Sequence, residues 1–209
     1  MDKKIIRLTV GPLQENCYIV YNKENECVII DPGYESQRII DTIEKEKLKP
    51  LYILLTHGHI DHIGAVKDLK DKYGISVYIH NKDKDMLEKP NKNSASLYGM
   101  SVNGAKADYF VKEGKDIKFS DDSFKVIETP GHTGGGVCYK LDNILFSGDT
   151  LFLGSIGRYD FPESSGLDLM NSLKKLTLLD KNTIVLPGHG PETSIEYELN
   201  YNPYLKRLW

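Results

Sequence analysis

Apolar residues alternate with polar ones, or gather in β-branched runs, over residues 5–10, 16–21, 27–30 and 51–55, and each pattern predicts a strand. Further strands are predicted at 75–79, 117–119, 124–128, 137–141, 144–146 and 183–186. Apolar positions three and four apart predict helices over 35–48, where Ile39, Ile40, Ile43 and Leu48 share a face, and over 63–73, 82–88, 167–178 and 195–205. Strands outnumber helices about two to one and the two kinds interleave, which favours a layered α/β architecture over an all-β sandwich. No repeat or linker-like shift in composition interrupts the chain, so residues 1–209 are read as one domain. The least patterned stretch, 90–104, is rich in Asn, Ser and Gly and reads as a long surface loop, with a cover over a functional site as the sharper alternative.

Composition narrows the functional classes. A chain that is 40% hydrophobic and 27% charged, with 13 Tyr and 6 Phe, has the makings of a folded core. Its formal charge of -3 and lack of a basic stripe argue against nucleic-acid binding. The N-terminal segment lacks the apolar run of a secretion signal, and no run of about 18 apolar residues suits a membrane span, so a cytoplasmic protein without membrane or nucleic-acid partners is expected. Cys17, Cys27 and Cys138 are odd in number, widely spaced and set in strand-like runs, which suits buried reduced thiols.

The histidines carry the chemical signal. Five of six lie at predicted strand ends or in glycine-rich turns: His57, His59, His62, His132 and His189. The run Thr56-His57-Gly58-His59-Ile60-Asp61-His62 directly follows the strand at 51–55. With 6 His and 17 Asp in 209 residues, a chance His-x-His-x-Asp-His is expected roughly four times in ten thousand such chains, so coincidence is a poor account of it. In an extended segment, side chains two apart project to the same side, so His57 and His59 can converge on one cation. Asp61 and His62 are neighbours that must diverge from that pair, which suits a second cation. Three later segments end an apolar strand in a turn bearing a ligand type: Glu128-Thr129-Pro130-Gly131-His132, Ser147-Gly148-Asp149 and Leu186-Pro187-Gly188-His189. A glycine precedes each ligand, where the backbone must turn sharply. Seven candidates, His57, His59, Asp61, His62, His132, Asp149 and His189, exceed one tetrahedral site and fit two ions sharing a carboxylate.

These motifs, with Asn16-Cys17-Tyr18, Asp31-Pro32-Gly33, Pro187-Gly188-His189-Gly190-Pro191 and Asn202-Pro203-Tyr204, resemble the metallo-β-lactamase-fold hydrolases, and within them the glyoxalase II (hydroxyacylglutathione hydrolase) family. The resemblance implies a four-layer αββα sandwich. Only 20 residues follow His189, so it is to a short form without the C-terminal helical domain of longer members. It further implies that His57, His59 and His132 hold one metal, that Asp61, His62 and His189 hold the other, and that Asp149 bridges them. Asp61 and Asp149 are thus the catalytic carboxylates, while Asp31 and Thr56 match positions that orient the ligand histidines. Arg158 and Tyr159 fall in the substrate-side loop, where a basic residue of the family meets a glutathione carboxylate; Tyr159 stands where Thr is usual. The plainer reading of Arg158 is an ion pair with Asp160.

Two divalent ions, with zinc the first expectation and iron or manganese the alternatives, would lower the pKa of a shared water and polarise a carbonyl. The implied reaction is attack of a metal-bridging hydroxide on a 2-hydroxyacyl thioester such as S-lactoylglutathione. A thiolate leaving group, with a pKa of about 8.5, needs little help from a general acid. The alternatives within the fold are a mononuclear iron persulfide dioxygenase and a hydrolase of lactones or other esters. A β-lactamase is disfavoured by the residues at His62 and Asp149, and a metal-holding scaffold without turnover is the contrasting class.

Overall fold

The computed structural model describes residues 3–89, 92–93 and 99–207. The chain divides into two compact units, Met1–Phe110 and Val111–Trp209. Each is built on one six-stranded mixed sheet.

In the first unit the sheet runs in chain order: β1 (Lys4–Val10), β2 (Glu15–Tyr21), β3 (Glu26–Ile30), β4 (Lys49–Leu54), β5 (Ser76–His80) and β6 (Tyr109–Val111). The first three strands are antiparallel neighbours, whereas β3, β4 and β5 are parallel. Parallel neighbours need a crossover, and helices supply it. Helix α1 (Ser36–Lys45) joins β3 to β4; α2 (Ile60–Ile63) and α3 (Val66–Tyr73) join β4 to β5. Ile39, Ile40 and Ile43 of α1 and Val66 and Leu69 of α3 pack with Ile29, Ile53, Leu55, Val77 and Ile79, which are alternate residues of the strands and their ends. Cys17 and Cys27 are buried there as free thiols. Burial lifts the Cys17 thiol well above its usual range, helped by the Glu15 and Asp31 carboxylates, and pushes Cys27 up to about 12.

Three helix boundaries differ from the sequence expectation, two for local reasons and one through a tertiary contact. Helix α1 stops at Lys45 because Lys47 turns left-handed (φ 54°) and the Leu48 amide donates to the Ile43 carbonyl, which closes the helix end. The helix expected from residue 63 is split between α2, which ends at Ile63, and α3, which starts at Val66; at the split the Ala65 amide donates to the Pro32 carbonyl, and Gly64 has no room for a side chain against the Gly33 carbonyl. The last helix stops at Tyr201 because Pro203 drives Asn202 into an extended conformation. A fourth, short helix, α4 (Lys84–Glu88), follows a 3-10 turn at Asn81–Asp83.

In the second unit β7 (Ile117–Phe119), β8 (Asp122–Glu128), β9 (Val137–Leu141) and β10 (Ile144–Gly148) form an antiparallel run. A small hairpin, β11 (Leu151–Phe152) and β12 (Ser155–Ile156), then leads into α5 (Gly166–Leu176). The chain returns as β13 (Ile184–Pro187), parallel to β10, followed by β14 (Thr193–Ser194) and α6 (Ile195–Tyr201). Ser165 and Ser194 cap the two helices by accepting from the amides of Asp168 and Tyr197. Leu169, Leu173 and Leu176 of α5 meet Cys138, Leu145 and Val185, while Phe119, Phe124 and Phe146 form a chain of rings 5.7 and 6.2 Å apart.

Strand direction explains where the chemistry gathers. Because β8 and β10 are each antiparallel to β9, and β13 is parallel to β10, the strands β8, β10 and β13 all point the same way. Their C-terminal ends, which lead to His132, Asp149 and His189, therefore share one edge of the sheet. In the first unit the parallel strands β3 and β4 likewise deliver Asp31 and Thr56-His57 to one edge, where the Asp31 amide donates to the Leu54 carbonyl.

Candidate metal centre

The first unit holds a buried cluster built around Asp31. One oxygen of this carboxylate accepts from the Thr56 amide at 2.7 Å, and the other accepts from the Thr56 hydroxyl at 2.5 Å and from His62 Nδ1 at 3.0 Å. The Thr56 hydroxyl, having given its proton to Asp31, can only accept from His57 Nδ1, 3.1 Å away. A single carboxylate thus puts the proton of both imidazoles on Nδ1 and the lone pair on Nε2, the state in which histidine ligates a cation. The rings of His57 and His59 lie 4.8 Å apart and those of His57 and His62 4.1 Å apart. Asp61 and His62 sit on the single turn of α2, whose start is set by His59: the His62 amide donates to the His59 carbonyl.

Close backbone approaches hold this cluster. A side chain at Gly33 would overlap the Asp61 carbonyl, and the Ala65 amide donates to the Pro32 carbonyl, so the Asp31-Pro32-Gly33 turn is pressed onto the segment that bears Asp61 and His62. Between His57 and His59, the Gly58 amide donates to the buried carboxylate of Asp83 at 3.1 Å. The segment beyond α4 contributes as well. Asn93 is fully buried and its carbonyl accepts from the Ile60 amide, next to Asp61. Residues 90–91 and 94–98 of the expected 90–104 loop lie outside the described residues.

The second unit carries a group of its own, His132, Asp149 and His189. His132 Nδ1 lies 2.8 Å from the Arg158 carbonyl, which can only accept, so this imidazole also carries its lone pair on Nε2. His132 Nε2 and His189 Nε2 are 3.5 and 3.7 Å from the same oxygen, Oδ2 of Asp149. Those separations exceed a good N–H···O bond. Two ligand atoms, each about 2.1 Å from one ion at a tetrahedral angle, lie roughly 3.4 Å apart, so the donor set has the spacing of ligands to shared cations. The Gly188 amide donates to the Gly148 carbonyl at 2.9 Å, which brings Asp149 and His189 side by side. Of the three glycines before these ligands, Gly131 (φ 142°) and Gly148 (φ 48°) use the left-handed region, whereas Gly188 does not. Gly131 also has no room for a side chain, because Leu169 at the start of α5 lies against it.

The expected substrate-side residues sit on the strand-free segment after β12. Arg158 pairs with Asp160, at 2.9 and 3.0 Å, and its guanidinium lies 4.3 Å from the centre of the Phe161 ring. Tyr159 is half exposed and lies against Gly166. His80, which belongs to no motif, accepts from the Lys82 amide.

Two buried acids had no signal as site residues in the sequence. Glu15 is fully buried at the start of β2, with Oε1 3.9 Å from His62 Nδ1; Asp61 Oδ2 lies 4.0 Å from His62 Nε2, so with Asp31 three carboxylates face that ring. A charged residue at the head of an otherwise buried strand was its only trace. Asp83 lies 25 residues from the glycine whose amide it accepts, a separation no local motif reveals.

Residues 10–189 match the metallo-beta-lactamase superfamily, and the chain belongs to it. It is accordingly a metal-dependent hydrolase of α/β fold, with two mixed sheets flanked by helices and His/Asp clusters as candidates for holding divalent ions. Hydroxyacylglutathione hydrolase GloC of Haemophilus influenzae is 36% identical over 210 residues, covering 98% of each chain. The crystal structure of the BLEG-1 B3 metallo-beta-lactamase matches with a TM-score of 0.93 and 42% identity, covering 97% of this chain and 99% of its own. TTHA1623, solved in a di-iron-bound form, matches with a TM-score of 0.87 and 38% identity, covering 96% of this chain and all of its own.

Proposed function

We propose that this protein is a dinuclear metal-dependent thioesterase that hydrolyses 2-hydroxyacyl thioesters, S-lactoylglutathione or an analogue on another small thiol. The observation that carries the reading is the pair of imidazoles directed through Nε2 at one oxygen of Asp149. His57, His59 and His132 are assigned to one ion, Asp61, His62 and His189 to the other, and Asp149 to both. Superfamily membership and the likeness to GloC support this assignment.

Divalent ions, when bound, lower the pKa of a shared water and polarise the substrate carbonyl. The chain's own contribution is preorganisation. Asp31 and the Arg158 carbonyl fix the tautomers of His57, His62 and His132 before any ion arrives, so no proton has to move within those rings on loading. Asp61 and Asp149 supply the carboxylates that compensate cationic charge and accept hydrogen bonds from the attacking water. The departing thiolate, with a pKa of about 8.5, leaves without a dedicated acid.

Zinc is the assigned metal, and the di-iron form of TTHA1623 makes iron the specific competitor. The likeness to BLEG-1 supports a second reading, β-lactam hydrolysis at the same centre. Metal-loaded protein assayed against S-lactoylglutathione, a neutral lactoyl thioester, a lactone, a β-lactam and glutathione persulfide with oxygen separates these readings. Thioester turnover above the others is expected. Oxygen uptake with one iron per chain, or β-lactam turnover alone, would overturn the proposal.

A further inference from the structure

Arg158, whose backbone carbonyl accepts from His132 Nδ1, already holds a carboxylate of its own chain with its guanidinium. Arg158 Nε and Nη2 donate to the two oxygens of Asp160 at 2.9 and 3.0 Å, a fork-on-carboxylate geometry. The two residues are separated by one position in strand-free chain, a spacing that lets both side chains project to one side. One face of the guanidinium is covered as well. Its carbon lies 4.3 Å from the centre of the Phe161 ring, and that ring stands edge-on to His132 at 5.7 Å. The Arg158 carbonyl completes the assembly by accepting from His132 Nδ1. The guanidinium beside Asp160 also holds that carboxyl below its ordinary range.

We propose that Asp160 is a specificity-determining residue: it occupies Arg158 from within, so that a thioester whose thiol bears a carboxylate must displace it, while a thioester of an uncharged thiol need not. The inference rests on the thioesterase reading for its substrates and on the second unit alone for its geometry. A free guanidinium at this place would select acidic thiols. Masked by Asp160 and backed by Phe161, it instead presents a neutral pair beside an aromatic ring, which shifts preference toward small uncharged thiols. Both side chains are more than half exposed, 59% and 65%, so water and salt weaken the pair. Exposed pairs of this kind correspond to roughly two- to five-fold in an equilibrium constant, which sets the size of the effect.

The test compares wild type, Asp160→Asn and the double variant Arg158→Ala/Asp160→Asn. Asn keeps the shape of the side chain but has only one acceptor oxygen, so it cannot hold the fork. KM and kcat are measured on metal-loaded enzyme with S-lactoylglutathione and with S-lactoyl-N-acetylcysteamine, whose thiol is uncharged. Binding of S-hexylglutathione, which has no thioester to cleave, is measured separately by equilibrium dialysis. The expected result is that Asp160→Asn lowers KM for the glutathione thioester and Kd for S-hexylglutathione about three-fold, leaves the neutral thioester unchanged, and loses the gain in the double variant. Unchanged S-hexylglutathione binding, or equal effects on both thioesters, would overturn the role of Asp160. Should wild type hydrolyse neither thioester, the thioesterase reading fails, and the dialysis comparison still decides whether Asp160 masks Arg158.

Discussion

Asp31→Asn probes the organisation of the metal centre with little other disturbance. Asp31 occupies the left-handed region (φ 48°), and Asn is the residue that tolerates that backbone best after glycine, so the turn itself survives. What changes is acceptor capacity. Three donors converge on the carboxylate: the Thr56 amide, the Thr56 hydroxyl and His62 Nδ1. An amide offers one oxygen and one NH2 group. With its oxygen turned toward Thr56 Oγ1 and His62, the NH2 faces the Thr56 amide, donor against donor. Flipped, it meets His62 Nδ1 with an NH2, and the imidazole must move its proton to Nε2, the atom needed for the cation. Losing charge assistance costs about 1 kcal/mol per bond, and one unsatisfied buried donor adds about 1 to 3 kcal/mol. A loss of about 3 to 5 kcal/mol in unfolding free energy follows, readable by urea denaturation of the metal-free protein. Changes of this kind around a ligand histidine lower metal affinity about 10- to 100-fold, readable by competition with a chromophoric chelator. A variant within about 0.5 kcal/mol of wild type in stability, with unchanged metal affinity, would refute the claim that Asp31 organises the two histidines.

Other perturbations follow from single contacts. Gly131→Ala must place a side chain against Leu169 in a backbone region that disfavours one; a loss of about 2 to 4 kcal/mol and reduced metal content are expected, and a normal melting curve would contradict the packing described. Glu15→Gln removes one of the three negative charges facing His62, and about ten-fold weaker metal binding at unchanged fold, followed by the same chelator titration, is expected; equal affinity would exclude Glu15 from the centre. Burial raises the Cys27 thiol from 9.0 to about 12, so the folded state keeps a proton that the unfolded state releases. This contribution is fully present below pH 9 and is lost as pH rises toward 12, so Cys27→Ala should flatten the alkaline limb of stability against pH; an unchanged limb would exclude the thiol as its source.

The parts of the fold legible in the sequence are those with enough residues to show a period. The long strands and the apolar face of α1, Ile39, Ile40 and Ile43, are of this kind. Strands β11, β12 and β14, two residues each, are too short to show alternation and are defined by their sheet partners. The split between α2 and α3 has no sequence signal because it is tertiary: the Ala65 amide donates to the Pro32 carbonyl, 33 residues away. The same distinction governs the site. His57, His59, Asp61 and His62 are visible because one strand-to-helix turn carries them all, and His132, Asp149 and His189 because each ends a strand of common direction. Glu15 and Asp83 reach the centre through space and leave no motif. For Arg158 the sequence supplied the charge and named Asp160 as the competing partner, while the Phe161 ring beneath it required the structure.

The most direct test of the account is metal-dependent turnover at known stoichiometry. Protein stripped by a chelator is titrated with Zn(II) while bound metal and S-lactoylglutathione hydrolysis are followed together, in wild type and in Asp149→Ala. The account predicts two ions per chain, full activity only as the second site fills, and loss of both metal and turnover in Asp149→Ala. Saturation at one ion per chain, or an active Asp149→Ala protein, would contradict it.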